Sequence, residues 1–170
     1  MPVNLELKAR ILENSQTRQR AEECGAEFHG ILSQTDTYFH VSSGRLKLRE
    51  QRKGAAELIY YTRPEQTTER LSDYQKTPIG DLVGLKSMLT AALGVLVVVK
   101  KERQVFVYKG ARIHLDQVES LGVFLEFEVP CDGSEDPQLL MRELRRIFSV
   151  DESSVEKRSY SDLILEKSSS

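Results

Sequence analysis

Six short segments of this sequence place ionisable side chains at every second position, the spacing that puts them on one face of a β-strand. In "LELK", Glu6 and Lys8 share a face and Leu5 and Leu7 take the other. In "RLKLR", Arg45, Lys47 and Arg49 line up against Leu46 and Leu48. In "ELIYYTR", Glu57, Tyr61 and Arg63 lie together with Ile59. Lys101 and Arg103 share a face in "KKER". Arg112, His114 and Asp116 oppose Ile113 and Leu115 in "RIHLD", and Glu126 and Glu128 oppose Leu125, Phe127 and Val129 in "LEFEV".

The wet side of an antiparallel sheet could look like this on any single strand. Such a side usually mixes Ser, Thr and Gln with its charges, however, and here it is nearly all Arg, Lys and Glu. Each strand also tends to carry one sign, although like charges at neighbouring positions repel. A surface of this kind suits a polyanion held together with a divalent metal. Mg²⁺ takes oxygen ligands at about 2.1 Å, commonly one or two carboxylates with phosphate oxygens and water. Glu126 and Glu128 can reach one ion from the same strand face, and Glu6 can join them from the other end of the chain. Lys and Arg can clamp the phosphates, Arg often through two hydrogen bonds at once.

The elements that must position these residues follow from periodicity and turn signals. Residues 3–13 alternate as a first strand. Residues 15–24 read as a helix, with Asn14 or Ser15 as N-cap and Gly25 as the stop. Extended segments follow at 26–41, 45–51, 55–63 and 69–79. Asp81 caps a helix running to about Leu93, and Gly94 closes it. Then come "VLVVVKKER", "QVFVYKG", "ARIHLDQV" and "VFLEFEV", with turns at Lys109-Gly110 and near Leu121-Gly122. "SEDPQLLMRELRRIF" is an amphipathic helix with Arg142, Arg145 and Arg146 in solvent. "SYSDLILEK" makes a short last helix before a frayed Ser-rich tail. Roughly eight strands joined mostly by short turns imply antiparallel neighbours. The expected class is α+β, one large antiparallel sheet that can close into a barrel, with peripheral helices.

The 170 residues suit one domain with a sizeable core. No apolar run reaches transmembrane length, and "MPVNLELKAR" lacks the apolar middle of a signal peptide. Cys24 and Cys131 show no metal spacing and read as reduced thiols. These points favour the cytoplasm and no membrane partner. A formal net charge of −2 argues against general nucleic-acid affinity. That average hides segregation: residues 40–63 carry six Lys/Arg against two Glu, and residues 116–143 carry eight Asp/Glu against Arg142 alone.

The sequence resembles the CYTH domain, or triphosphate tunnel metalloenzyme, family. Residues 4–8, Asn-Leu-Glu-Leu-Lys, resemble its E-x-E-x-K strand. "LKLR" at 46–49, "KER" at 101–103, "RIHLDQVESLGVFLEFE" at 112–128 and "SYSDLI" at 159–164 follow in the family's order. The resemblance spans about residues 3–166, and its last two motifs look most like the class IV adenylate cyclase-like bacterial branch. It implies a closed or nearly closed eight-stranded antiparallel barrel around an open tunnel, with Mg²⁺ or Mn²⁺ and a triphosphate-containing substrate. By position, Glu6, Glu126 and Glu128 would be metal ligands, and Lys8, Lys47, Arg49, Lys101, Arg103 and Arg112 would bind phosphates. Asp116 would hold a cation in place or assist the metal. The resemblance thus puts Glu6, Lys8, Asp116, Glu126 and Glu128 in the catalytic set.

Three positions depart from the pattern. Asn4 replaces the first acidic residue, so a second metal site would be weaker. Tyr61 stands where relatives carry a lysine, and Arg63, two residues on, would replace it in binding substrate. Arg45 is an extra cation for the tunnel or its mouth. The resemblance favours conversion of ATP to cyclic AMP and pyrophosphate. Hydrolysis of tripolyphosphate or thiamine triphosphate stands close behind, and a non-catalytic nucleotide- or polyphosphate-binding module is a third reading. The expected assembly is a monomer or homodimer. His114 is expected to be a hydrogen-bonded histidine of the lumen, and Tyr160 either to cover the tunnel or to pack.

Overall fold

The computed structural model describes residues 3–53, 56–62, 68–132 and 136–170. Among these residues are eight strands and four α-helices, in the order β1 (Val3–Arg10), α1 (Asn14–Glu23), β2 (Glu27–Phe39), β3 (Arg45–Gln51), β4 (Ala56–Thr62), β5 (Arg70–Ile79), α2 (Leu82–Leu93), β6 (Val95–Tyr108), β7 (Ala111–Val118), β8 (Gly122–Pro130), α3 (Pro137–Ile147) and α4 (Tyr160–Ser168). The strands form a closed antiparallel barrel in the order β1-β5-β4-β3-β2-β6-β7-β8, and β8 pairs with β1 to close it. Consecutive strands joined by short turns are neighbours, as antiparallel hairpins require. The two exceptions are β1 to β2 and β5 to β6, and these are the connections that carry α1 and α2.

Several boundaries differ from the sequence reading. "VLVVVKKER" and "QVFVYKG" are one strand of 14 residues, because β2 pairs along its whole length. The register of that long pair shifts at a bulge between Phe28 and Gly30, where Gly30 takes a φ of +116°, and again between Tyr38 and Phe39. The residue before α1 is Glu13, which makes no side-chain capping bond. Asn14 lies inside the helix, with its Oδ1 buried and unpartnered. Asp81 does cap α2, accepting from the Gly84 amide at 2.9 Å. The tail is less frayed than expected, since Ser168 completes α4 behind a capping box of Ser159 and Asp162.

The main core lies outside the barrel. Leu5, Leu7 and Ala9 on β1, Ile113 and Leu115 on β7, and Leu125, Phe127 and Val129 on β8 point outward. They pack against Ala21 of α1, Leu140, Met141 and Leu144 of α3, and Phe148 just beyond α3. The residues between them on the same strands therefore point into the lumen. A second cluster joins Tyr38, Ile59, Tyr61, Val99, Val118 and Phe124 to Tyr160 and Leu163 of α4. No helix among the described residues is long and apolar enough to cross a membrane.

This arrangement makes one side chain decisive. Phe127 is fully buried and its ring lies 5.4 Å from that of Phe148. Phe127→Ala should cost about 3–5 kcal/mol, read from urea denaturation. A loss well under 1 kcal/mol would mean that the outer face is not the core.

Candidate functional site

The lumen is a cavity of about 320 Å³ lined by inward residues of all eight strands. β1 contributes Asn4, Glu6 and Lys8, β3 contributes Lys47 and Arg49, and β6 contributes Lys101 and Arg103. β7 contributes Arg112 and His114, and β8 contributes Glu126 and Glu128. The period-two reading of these strands therefore puts nine predicted site residues, those just named except Asn4 and His114, in one chamber. The sequence reading passed over β2, whose Gln34, Asp36 and Tyr38 also line the lumen, and over Tyr74 and Lys76 of β5. Arg63 lies outside the described residues.

Asp36 answers the repulsion among the cations of β3. It is 1% exposed and accepts hydrogen bonds from Arg49 Nε and Nη2 at 2.8 and 2.7 Å, Lys47 Nζ at 3.0 Å and Lys101 Nζ at 3.2 Å. Burial works to raise its pKa, but Lys101, Lys47 and Arg49 together hold it well below the usual carboxylate range. One carboxylate cannot satisfy three cations equally. Burial pulls the Lys101 ammonium down to about 7 in spite of Asp36, and Arg49, Arg103 and Lys47 add to the shift.

A second cluster sits beside the first. Asp116 is fully buried and grips Arg103 with both oxygens, at 2.7 and 2.6 Å, while Tyr160 Oη donates to it at 2.7 Å. Asp116 is absent from the cavity lining and holds Arg103 from behind. Burial works to lower the Arg103 pKa, but Asp116 and then Glu126 carry it well above the usual arginine value. Tyr160 also covers part of the lumen, with Lys8 Nζ 4.0 Å from its ring centroid. It therefore both lines and packs.

The acidic wall is assembled by strand register. Glu6 stands opposite Glu128 across β1 and β8, and Lys8 stands opposite Glu126. On the other side of β8, Arg112 faces Glu128 and His114 faces Glu126. One ligand atom from each of His114, Glu126 and Glu128 falls within 4.8 Å of the others, a spacing that could hold a metal ion. Burial works to raise the Glu126 pKa, but Arg103, helped by His114 and Lys8, holds it well below its usual value. Arg112 Nη2 sits 2.7 Å from Glu128. His114 departs from expectation: its Nδ1 is buried and makes no hydrogen bond. Gln34 Oε1 is likewise buried and unpartnered in the lumen.

Arg45 is absent from the lumen lining. Its guanidinium is held by Asp162 at 2.9 and 3.0 Å and donates to Ser159 and Ser161, tying β3 to the start of α4. It lines a neighbouring cavity of about 430 Å³ with His40, Gly44 and Leu96. Tyr38 and Tyr61 line both cavities.

A family model of the CYTH domain matches residues 3–160. A solved structure from Pyrococcus horikoshii is 26% identical, with 94% of this chain and 98% of that one covered and a TM-score of 0.85. A candidate adenylate cyclase from Vibrio parahaemolyticus is 24% identical over 95% and 97% of the two chains, with a TM-score of 0.76. HpAC1 from Hippeastrum, described as an adenylyl cyclase candidate with a dominant triphosphatase activity, is 13% identical over 99% and 96%, with a TM-score of 0.68. The last two likenesses concern the fold. No curated protein matches the chain.

Asp36→Asn should destabilise the protein by about 3–5 kcal/mol, because it leaves buried cations without their counter-charge. Added pyrophosphate should restore part of the loss. Unchanged stability in thermal and urea unfolding would remove Asp36 from the centre of this network.

Proposed function

The chain belongs to the CYTH domain family, and from that premise we propose that it is a divalent-metal-dependent enzyme acting on a triphosphate held in the barrel. The family binds triphosphates and depends on a metal. The carrying observation is the division of one lumen into a cationic wall of Lys47, Arg49, Lys101 and Arg103 and an acidic wall of Glu6, Glu126 and Glu128. The residues fit a metal: three clustered donors, one of them an unpartnered buried nitrogen, lie where a phosphate chain would run. Mg²⁺ or Mn²⁺ on this wall would neutralise phosphate oxygens as a Lewis acid.

The reaction we favour converts ATP to cyclic AMP and pyrophosphate. The ribose 3′-oxygen attacks the α-phosphorus, its proton passes to solvent, and the bond to the bridging oxygen of pyrophosphate breaks. Lys47, Arg49, Lys101 and Arg103 would hold the phosphate chain and stabilise the charge that develops on the leaving group. Asp116 would fix Arg103 in its pose. The lumen, at about 320 Å³, is at the small end of ligand cavities and suits the phosphate chain. The adjoining cavity of about 430 Å³, which shares Tyr38 and Tyr61, leaves room for a nucleoside. The second reading is hydrolysis of tripolyphosphate or thiamine triphosphate, with water attacking the terminal phosphorus. It is favoured by the same small lumen, which needs no base to fill it, and by the activity described for HpAC1.

The test is incubation with ATP, tripolyphosphate or thiamine triphosphate in Mg²⁺, Mn²⁺ or EDTA, with all products resolved by chromatography. Cyclic AMP with pyrophosphate is expected. Orthophosphate alone would move the assignment to the phosphohydrolase, and no metal-dependent product would end the enzyme reading. Glu126→Gln and Glu128→Gln should each lower turnover by at least about 100-fold with the fold intact. Full activity in either would displace the metal wall. Triphosphate binding should also raise the pKa of Lys101 from about 7. Binding should then take up a proton at pH 8, and affinity should fall as pH climbs above 7. Calorimetry in buffers of different ionisation enthalpy reads this, and zero uptake would place the ligand away from Lys101.

A further inference from the structure

The acidic wall contains a nitrogen that an all-oxygen ligand set leaves unused. We propose that His114 is itself a metal ligand, through Nδ1, and that it biases the site toward a first-row transition ion over Mg²⁺. The inference rests on the reading that this wall binds a divalent ion. It adds which donor completes the set and which class of ion that donor selects.

Four observations carry it. His114 lies between Arg112 and Asp116 on the lumen side of β7 and is 4% exposed, so its ring is fixed on a paired strand. Its Nδ1 is buried and has no hydrogen-bond partner. Its register partners are Val105 on β6, which offers no polar group, and Glu126 on β8. Nδ1 is 3.6 Å from Glu126 Oε1, which is too long for a hydrogen bond.

That distance suits two donors sharing an ion. Ligands about 2.1 Å from an octahedral metal lie about 3.0 Å apart when adjacent and about 4.2 Å apart when opposite. The 3.6 Å between Nδ1 and Oε1 falls between these, and the set with Glu128 lies within 4.8 Å, so side-chain movements of about half an ångström would bring the three donors onto one ion. Mg²⁺ selects oxygen donors and gives up water reluctantly, whereas imidazole is a good ligand for transition ions. Replacing one oxygen by Nδ1 therefore costs Mg²⁺ more than it costs Mn²⁺ or Co²⁺. The neighbouring ion pairs leave room for this: Arg112 sits on Oε2 of Glu128, and Arg103 stands 3.6 Å from Oε2 of Glu126. Oε1 of Glu126, the oxygen nearest His114, lies on the other side of that carboxylate.

Mn²⁺ is the probe. Loss of the free-ion resonance during titration gives its affinity, competition gives that of Mg²⁺, and pulsed paramagnetic resonance detects nitrogen bound to the ion. The expected result is bound Mn²⁺ with nitrogen coupling in the unaltered protein. The coupling should persist when the two exposed histidines are removed together (His29→Gln with His40→Gln). It should vanish in His114→Asp, where an oxygen replaces the nitrogen and the preference for Mn²⁺ over Mg²⁺ drops roughly tenfold. Bound Mn²⁺ without nitrogen coupling would overturn this inference and leave the metal wall standing. No bound Mn²⁺ in the unaltered protein would overturn both. The measurement on the unaltered protein and on the double variant does not depend on His114→Asp folding.

Discussion

A closed barrel with charge on its inner face is stable only if each inward charge finds an opposite one within reach. Desolvation raises the cost of any charge left over. Asp36 meets this condition for Lys47, Arg49 and Lys101, and Asp116 meets it for Arg103. These two carboxylates come from β2 and β7, on either side of β6 in the barrel. β6 supplies Lys101 to one and Arg103 to the other, so this strand of the cationic wall is anchored from both flanks. The balance is deliberately incomplete: three cations share Asp36, and the excess positive charge faces the cavity.

The same constraint moves the hydrophobic core. Many small eight-stranded barrels fill their interior with apolar side chains. Here the interior is polar, so the outward faces of β1, β7 and β8 must bury Leu7, Ile113 and Phe127 against something else. α1 and α3 supply it, and both follow strands from that side of the barrel. α4 has a different task. Its first turn is fixed by Arg45 to Asp162 and by Tyr160 to Asp116, so the start of the helix is tied to β3 and to the Asp116 cluster, and Tyr160 reaches the lumen.

Local alternation made most of this legible. Arg45, Lys47 and Arg49 sit on one face because the strand period is two, and so do Glu126 and Glu128. No pairing is needed to see it. Asp36 was not legible, because "TDTYF" holds a single carboxylate among neutral residues, and its importance comes from three cations on two other strands. Its alternation with Gln34 and Tyr38 was the available signal. Arg45 shared the face of Lys47 and Arg49, yet its long side chain ends on α4, more than a hundred residues away in sequence. The state of His114 was equally remote, since its missing partner depends on Val105 and Glu126 in register. The helix start misplaced at Asn14 or Ser15 shows the reverse error, a good local cap that tertiary packing did not use.

On the proposed function, ligand binding becomes an exchange of partners rather than a burial of bare charge. In the lumen Glu128 already rests against Arg112, and Glu126 lies near Arg103. A metal ion would take the carboxylates, and a phosphate chain would take the freed guanidinium groups. Arg103, Glu126 and Glu128 have therefore already left bulk water, while Arg112 stays half-exposed, and binding does not have to supply the desolvation of those three again. Lys101 marks the limit of this exchange. Its pKa near 7 records a cation that the protein's own carboxylates do not fully support. An anion entering between Lys101, Lys47 and Arg49 would supply the missing counter-charge, so the least stabilised group in the free barrel is the one that gains most from a ligand.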